Sequence, residues 1–145
     1  MSWEVKQFGD VIDKIVGGGT PSKSKSEYWN GNIFWASVKD MSEGKYRLSE
    51  TQDTISQEGL ENSSANLIPK GSLIISTRMG LGRAFINNVP MAINQDLKAI
   101  YPNTELVDNN FLLWNYIQSF RYPYGYVYSN VCYWSFARMG SPMER

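Results

Sequence analysis

The stretch SLIIST, residues 72–77, decides the fold that the sequence predicts. It is a short apolar run that follows the turn sequence IPKG, and such a run is typical of a strand covered on both faces. NIFWASV, residues 32–38, is a second run of this kind and predicts another central strand. A β-sheet with these buried strands therefore lies at the centre of the predicted fold.

The segments around these runs predict further strands. Residues 46–55 are predicted to form a strand at a sheet edge, and DLKAIYP, residues 96–102, forms one more. The sequence GRAFINNVPMAIN favours a hairpin, because Asn87 and Asn88 can adopt the positive φ angles that a tight turn requires. Pro90 has no backbone N–H, so its strand is predicted to lie at an edge.

Helices are predicted on either side of these strands. Short helices are expected at residues 8–13 and from the capping residue Ser56 through about Asn62, and a longer helix begins after the capping residue Asp108. Three apolar side chains share one face of that longer helix and predict docking on the sheet: Leu113, Ile117 and Phe120. The predicted fold class is therefore α+β, a single domain with a mixed, largely antiparallel β-sheet and short helices.

The composition excludes several kinds of chemistry. The chain has 145 residues, the size of one domain, and its 14% aromatic and 19% charged residues favour a packed fold. There is no histidine, which excludes nucleophiles paired with an imidazole base and zinc sites built on imidazole. Cys132 is the only cysteine, so neither an intramolecular disulfide nor a multi-cysteine zinc site can form. No apolar run approaches a membrane span and no secretory signal is visible, which predicts a cytosolic protein.

The formal net charge is zero, which by itself disfavours a nucleic-acid partner because phosphate contacts dominate such affinity. The charges are nevertheless unevenly distributed along the chain. Residues 14–39 and 62–98 are mainly basic, whereas residues 40–61 are mainly acidic. This distribution allows a polarised surface.

The loop GGGTPSKS, residues 17–24, nearly matches a nucleotide-binding loop. Ser22 stands where that pattern requires a second glycine, Pro21 removes a backbone donor, and no helical periodicity follows. An exposed loop that meets a polyanion from outside is the other functional interpretation, with hydroxyl and ammonium groups donating to phosphate oxygens. The candidate donors are Thr20, Ser22, Lys23 and Lys25. A solvated lysine-serine turn explains the same composition.

STRMGLGRAF, residues 76–85, contains the second candidate site. Its glycines match a dinucleotide-binding fingerprint only in part, because Phe85 occupies the third glycine position. Arg78, at the end of a buried strand, can present its planar donor fork to a guanine edge or a phosphate, and Arg83 follows beyond the glycines. A structural ion pair is the competing interpretation.

Two further patterns have both a functional and a structural interpretation. Asn94 and Gln95 can each make a paired contact to adenine, and each residue type also commonly closes a turn. Pairs of acidic residues can bind a divalent ion in a nuclease or form a solvated edge. The acidic pairs are Asp40 with Glu43 and Glu50 with Asp53.

The order of these segments is more specific than any one of them. The segments are GGGTPSKSKSEYWNGNIFWASVKDM, ETQDTISQEGLENSSANLIPKGSLIISTRMGLGRAFI, MAINQDLKAI and FLLWNYIQ. In this order they resemble the target recognition domain of type I restriction-modification specificity subunits, over about residues 3–120. By this resemblance residues 1–120 form a DNA target recognition domain, and residues 121–145 form an atypical, tyrosine-rich tail.

The resemblance implies a non-catalytic protein that needs no cofactor and no membrane. Such a subunit reads one half of a split sequence in double-stranded DNA and directs methyltransferase and restriction subunits to it. The implied DNA-binding residues are Thr20, Ser22, Lys23, Lys25, Lys39, Arg78, Arg83, Asn94 and Gln95.

The chain departs from the family pattern in its length and its tail. It stops after one recognition domain, and from Arg121 it lacks the helix rich in Leu, Glu and Lys that spaces the half-sites. Self-association or a second half-subunit would supply the other half. Two other functions stay open: a metal-dependent nuclease acting through the acidic segment, and a protein-interaction module acting through the aromatic tail.

Overall fold

The computed structural model describes residues 8–42 and 44–121, with the backbone alone for residues 8 and 119–121. Glu43, Cys132 and most of the predicted tail lie outside these residues. The strands are β1 (Ile12–Gly17), β2 (Trp29–Ala36), β3 (Arg47–Leu48), β4 (Asp53–Ile55), β5 (Leu67–Ile68), β6 (Leu73–Ser76), β7 (Ala84–Asn87), β8 (Met91–Ile93) and β9 (Leu97–Pro102). The helices are α1 (Gln57–Glu61), α2 (Asn109–Arg121) and the 3-10 helices Phe8–Val11, Ser26–Tyr28 and Val38–Asp40.

The strands form two mixed sheets. The five-stranded sheet has the order β1-β9-β6-β7-β3, and the four-stranded sheet has the order β4-β2-β8-β5. The pairs β2 with β8 and β3 with β7 are parallel, and the other pairs are antiparallel. The predicted α+β class with largely antiparallel pairing is confirmed, and β2 and β6 are internal strands as predicted. The strands divide between two sheets rather than forming the single sheet expected from the sequence.

The predicted hairpin at Asn87 and Asn88 is wrong, because β7 and β8 belong to different sheets. The Asn87 side chain is buried at this crossover, where its amide donates to the Pro69 carbonyl at 2.9 Å. Its oxygen accepts from the Ser72 backbone N–H at 2.8 Å. Asn87 therefore joins the crossover to the preceding turn, and the observed hairpin is β6–β7 across residues 77–83.

Three other boundaries differ from the prediction. Residues 46–55 form the separate strands β3 and β4, although each lies at a sheet edge as predicted. Residues 8–13 are helical only in the 3-10 turn Phe8–Val11, because the chain from Ile12 onward pairs with β9. Pro90 precedes β8, an internal strand, so the predicted edge position is wrong. Its missing N–H lies outside the ladder, which is why an internal strand tolerates it.

Both α-helices begin at the predicted caps and pack as their apolar faces require. The Gly59 N–H donates to Ser56 Oγ at 3.0 Å, and the Phe111 N–H donates to Asp108 Oδ1 at 2.8 Å. Leu113 and Ile117 are buried against the five-stranded sheet, whereas the side chain of Phe120 lies outside the described residues. In the part of the chain described, no helix is long and apolar enough to cross a membrane.

The strand order brings several loops to one end of the two sheets. The register pairs Gly17 with Lys98, Ser76 with Leu97, and Ala36 with Ile93, so β1, β2, β6 and β8 all end there. Asp53, the first residue of β4, pairs with Trp35 and begins at the same end. We call this end, formed by residues 18–28, 37–42, 77–83 and 94–96, the loop end. The turns at residues 69–72 and 103–108 lie at the opposite end. The first leads into the start of β6, and the second begins where the Asn103 N–H donates to the carbonyl of Val11, just before β1.

Candidate nucleic-acid interface

Gly18 and Gly19 hold the first loop against the turn at residues 94–96. The Gly19 N–H donates to the Ile93 carbonyl at 3.0 Å, and Trp35 Nε1 donates to the Gly19 carbonyl at 2.9 Å. A Cβ atom at Gly18 would lie 2.2 Å from the carbonyl oxygens of both Ile93 and Asn94. The glycines therefore permit close backbone packing. A 3-10 turn and a strand follow them, so the helix N-terminus of a nucleotide-binding loop is missing here.

Trp29 anchors the rest of this loop. Its ring meets Trp35 edge to face, with centroids 5.1 Å apart and an interplanar angle of 84°. Its Nε1 donates to the Ser22 carbonyl at 3.1 Å. Because the tryptophan holds the middle of the loop, Lys23 and Lys25 project from an ordered backbone and remain exposed.

A cleft of about 470 Å³ opens at the loop end. Residues from separate loops and strands line it: Lys23, Trp29, Trp35, Ser37, Lys39, Asp53 and Asn94. The predicted residues Lys23, Lys39 and Asn94 are distant in the sequence, yet the strand order places them around one opening. The lining combines ammonium groups, an amide and aromatic rings, the side-chain types that contact phosphates and bases.

Lys39 is positioned by a buried acidic residue and paired with a second one. The Asp40 carboxylate accepts from the backbone N–H groups of Ser37 at 2.9 Å and Gln52 at 2.8 Å, which fixes the short helix that carries Lys39. Lys39 Nζ lies 2.5 Å from Asp53 Oδ2. This hydrogen bond raises the pKa of Lys39 above its ordinary value, so the side chain stays charged at neutral pH. Lys39 thus carries a positive charge at the rim of the cleft, partly offset by its partner.

The turn at residues 94–96 connects the cleft to Arg78. The side chain of Asn94 is buried and accepts from the Asp96 backbone N–H at 3.0 Å, so it closes the turn. Thr20 Oγ1 donates to the Gln95 side-chain oxygen and joins this turn to the first loop. Arg78 lies 3.5 Å from Asp96, and its side chain is still 70% exposed. The structural interpretations of Asn94 and Arg78 are therefore realised, and Arg78 nevertheless keeps most of its donor fork in solvent.

Arg83 lies at the end of the loop that follows β6. Its guanidinium donates to the Met41 carbonyl at 3.4 Å, and its backbone N–H donates to the Gly80 carbonyl at 3.2 Å. The first contact ties this loop to the segment that carries Lys39. All the predicted binding residues therefore lie at the loop end.

Two of the acidic residues proposed for a nuclease, Asp40 and Asp53, are engaged in other contacts. Both oxygens of Asp40 accept backbone N–H groups, and Asp53 pairs with Lys39. Among the described residues, no group of three or more acidic or cysteine side chains is placed to hold a metal ion. The nuclease interpretation therefore gains no support from this part of the chain.

Sequence reasoning missed several residues of this site. Trp35 and Ser37 line the cleft, but the apolar run that contains them indicated only a buried strand. Asp53 was visible only as part of an acidic pair. The pairing of Lys39 with Asp53 has no local sequence signal, because it depends on β2 and β4 lying side by side.

Comparison with known protein families identifies the class of this two-sheet α+β domain. The family model described as the type I restriction modification DNA specificity domain matches residues 1–125, and the chain belongs to this family. The family description assigns it a role in DNA sequence specificity.

Particular relatives are specificity subunits of type I restriction enzymes. The EcoR124I/EcoR124II specificity subunit of Escherichia coli is 42% identical over 110 residues, which cover 72% of this chain and 26% of that protein. The MjaIX specificity subunit of Methanocaldococcus jannaschii is 32% identical over 106 residues, covering 72% of this chain and 24% of that protein. The chain thus spans about a quarter of the length of these relatives.

The fold is also found in solved structures. The crystal structure of the HsdS subunit from Thermoanaerobacter tengcongensis superposes with a TM-score of 0.58 at 21% identity, over 79% of this chain and 27% of that chain. At this identity the likeness concerns the fold alone.

Proposed function

We propose that the domain, residues 1–120, binds double-stranded DNA sequence-specifically through its loop end. The observation that carries the proposal is the convergence of Lys23, Lys39 and Asn94 on one cleft, with Arg78 held beside it through the turn at residues 94–96. Lysines and serines position the duplex through its phosphates, and arginine and amide side chains read base edges. Family membership supports the choice of DNA as the ligand.

In this proposal the domain makes and breaks no covalent bond. It reads one half of a bipartite site in the cytosol, and a second half-subunit or a second copy of the chain reads the other half. Methyltransferase and restriction subunits act at the site to which the assembly binds. The relatives are themselves named as specificity subunits of type I restriction enzymes, which supports this assignment.

Selection of bound duplexes from a random pool at a stated salt concentration tests the proposal. Enrichment of a half-site of a few base pairs supports it. Binding with no enriched sequence would reject sequence-specific reading, and no binding at any salt concentration would reject DNA as the ligand.

Arg78 is expected to read one base position. Arg78→Ala should lower affinity for the selected duplex by about 1–3 kcal/mol and relax the preference at a single position, measured by repeating the selection. Arg78→Lys keeps the charge but loses the planar fork, so it should relax the same position. If the Arg78→Lys variant kept the native sequence preference, Arg78 would contact only phosphate. Lys70→Ala, at the opposite end, is the control and should change neither quantity.

Asp53 is expected to weaken DNA binding in the native domain, because it offsets the charge of Lys39. Asp53→Asn should strengthen binding to all duplexes and make the slope of log K against log salt steeper, by less than the value of about 0.9 that one whole phosphate contact contributes. Fluorescence anisotropy titrations over a range of salt concentrations measure both quantities. Glu105→Gln removes the same charge from the opposite end and serves as the control. Equal effects of the two variants would mean that only net charge matters.

A further inference from the structure

The loop between β6 and β7, residues 77–83, exposes two large apolar side chains at its tip. Met79 is 65% exposed and Leu81 is 46% exposed. Arg78 and Arg83 flank them, and no acidic residue lies within the loop. Two large apolar side chains exposed on one short loop, between two arginines, make this tip a candidate contact surface.

Hydrogen bonds hold the base of this loop in place, whereas the apolar side chains at its tip are exposed. The Thr77 N–H and hydroxyl both donate to the Asp96 carbonyl, at 2.9 and 3.1 Å, and the Ser76 N–H donates to the Arg83 carbonyl at 3.2 Å. Gly80 and Gly82 adopt positive φ angles of 66° and 87°, which allow the chain to reverse between the apolar residues. The backbone that carries Met79 and Leu81 is therefore held in place by these hydrogen bonds.

The back of the loop rests on the element that carries Lys39. A Cβ atom at Gly80 would lie 3.1 Å from Val38 Cγ1, so this loop and the 3-10 helix Val38–Asp40 pack closely. The apolar tip consequently lies next to the cleft that the proposed function assigns to DNA. Leu106, which is 47% exposed, lies instead at the opposite end.

We infer that Met79 and Leu81 form an apolar wedge that inserts between two base pairs of the bound duplex, while Arg83 contacts a phosphate beside the wedge and Arg78 reads the adjacent base edge. The flanking arginines favour DNA as the ligand of this tip. Positive charges on either side of an apolar tip complement stacked bases that lie between phosphates. Methionine and leucine are among the side chains that unstack base steps and bend the duplex away from the wedge. The wedge favours pyrimidine–purine steps, which cost least to unstack. This inference rests on the proposed function.

Unstacking and bending of the selected duplex test the wedge directly. A scan with 2-aminopurine along the duplex should show increased fluorescence at one step when the full chain binds. Energy transfer between labels at the duplex ends should report a bend of about 20–90°. The double variant Met79→Ala, Leu81→Ala should lose both signals and weaken binding on the order of tenfold or more.

Matched variants separate a wedge from a general loss of packing. Met79→Leu with Leu81→Met keeps the apolar bulk and should keep both signals, and Leu106→Ala should behave as the native protein. Binding of the native chain with no unstacked position would overturn the wedge and leave the proposed function intact. Unstacking that survives in the double alanine variant would also overturn it, because another part of the domain would then open the base step. Failure to bind any duplex would overturn both.

Discussion

Gly18→Ala is expected to destabilise the domain and abolish its DNA binding together. The new Cβ would lie 2.2 Å from two backbone carbonyl oxygens, and neither can move without shifting the turn that joins β8 to β9. Overpacking of this kind costs about 1–3 kcal/mol and occasionally more, and contact with backbone places Gly18→Ala at the upper end. For a chain of this size the thermal midpoint should fall by about 10 °C. The turn carries Asn94 and Gln95, so the cleft is distorted even in molecules that remain folded.

Gly17→Ala is the matched control, one residue earlier on the same segment. Its Cβ would meet only Lys98 Nζ at 3.2 Å, the end of a flexible side chain that can turn away. Its effect on the free energy of unfolding should stay within about 0.5 kcal/mol. Thermal and urea unfolding of both variants, followed by circular dichroism, measure the difference. Equal midpoints for the two alanine variants would show that Gly18 is not closely packed.

The elements predicted correctly are those whose signals are local. The apolar run of β6 lies between turn residues, and the strand it forms is fully buried. The caps Ser56 and Asp108 mark the starts of α1 and α2 because a side-chain oxygen next to a helix start has a specific donor to satisfy. Such patterns need no knowledge of the rest of the fold.

The errors arise where partners distant in sequence decide the structure. The pair Asn87 and Asn88 fits a tight turn, but Asn87 is instead buried by contacts with residues before β6. The helix expected at residues 8–13 gives way to pairing between β1 and β9. No local signal tells whether consecutive strands share a sheet, so the division into two sheets could not be predicted.

The candidate site, too, was predicted where its signals are local and missed where distant residues come together. The residue types that suit DNA were visible in the sequence, because lysine, arginine and amide side chains recur in loops between predicted strands. Their convergence depends on which strands end together, which the strand order determines. Trp35 behind the cleft and the exposed tip of residues 77–83 became visible only with that order.

Removal of Lys23, Lys25 and Lys39 is expected to have the largest effect on DNA binding. Each lost phosphate contact should reduce the slope of log K against log salt by about 0.9, or about 2.7 for the three. At about 0.1 M salt the same relation gives an affinity loss on the order of 10²- to 10³-fold. Lys39→Ala also leaves Asp53 facing the duplex without its partner, which adds repulsion. The triple alanine variant should unfold at nearly the native temperature, because the three side chains are exposed.

Sequence preference separates this variant from one that damages base reading. Phosphate contacts carry no direct sequence information, so the triple variant should weaken all duplexes about equally and still select the native half-site at low salt. Lys14→Ala with Lys70→Ala lowers the net charge by removing lysines that do not line the cleft, and it should leave the slope nearly unchanged. A comparable loss in this control would mean that long-range charge, rather than contact at the loop end, governs affinity. If the control binds normally and the triple variant keeps the native slope, DNA must approach another face of the domain.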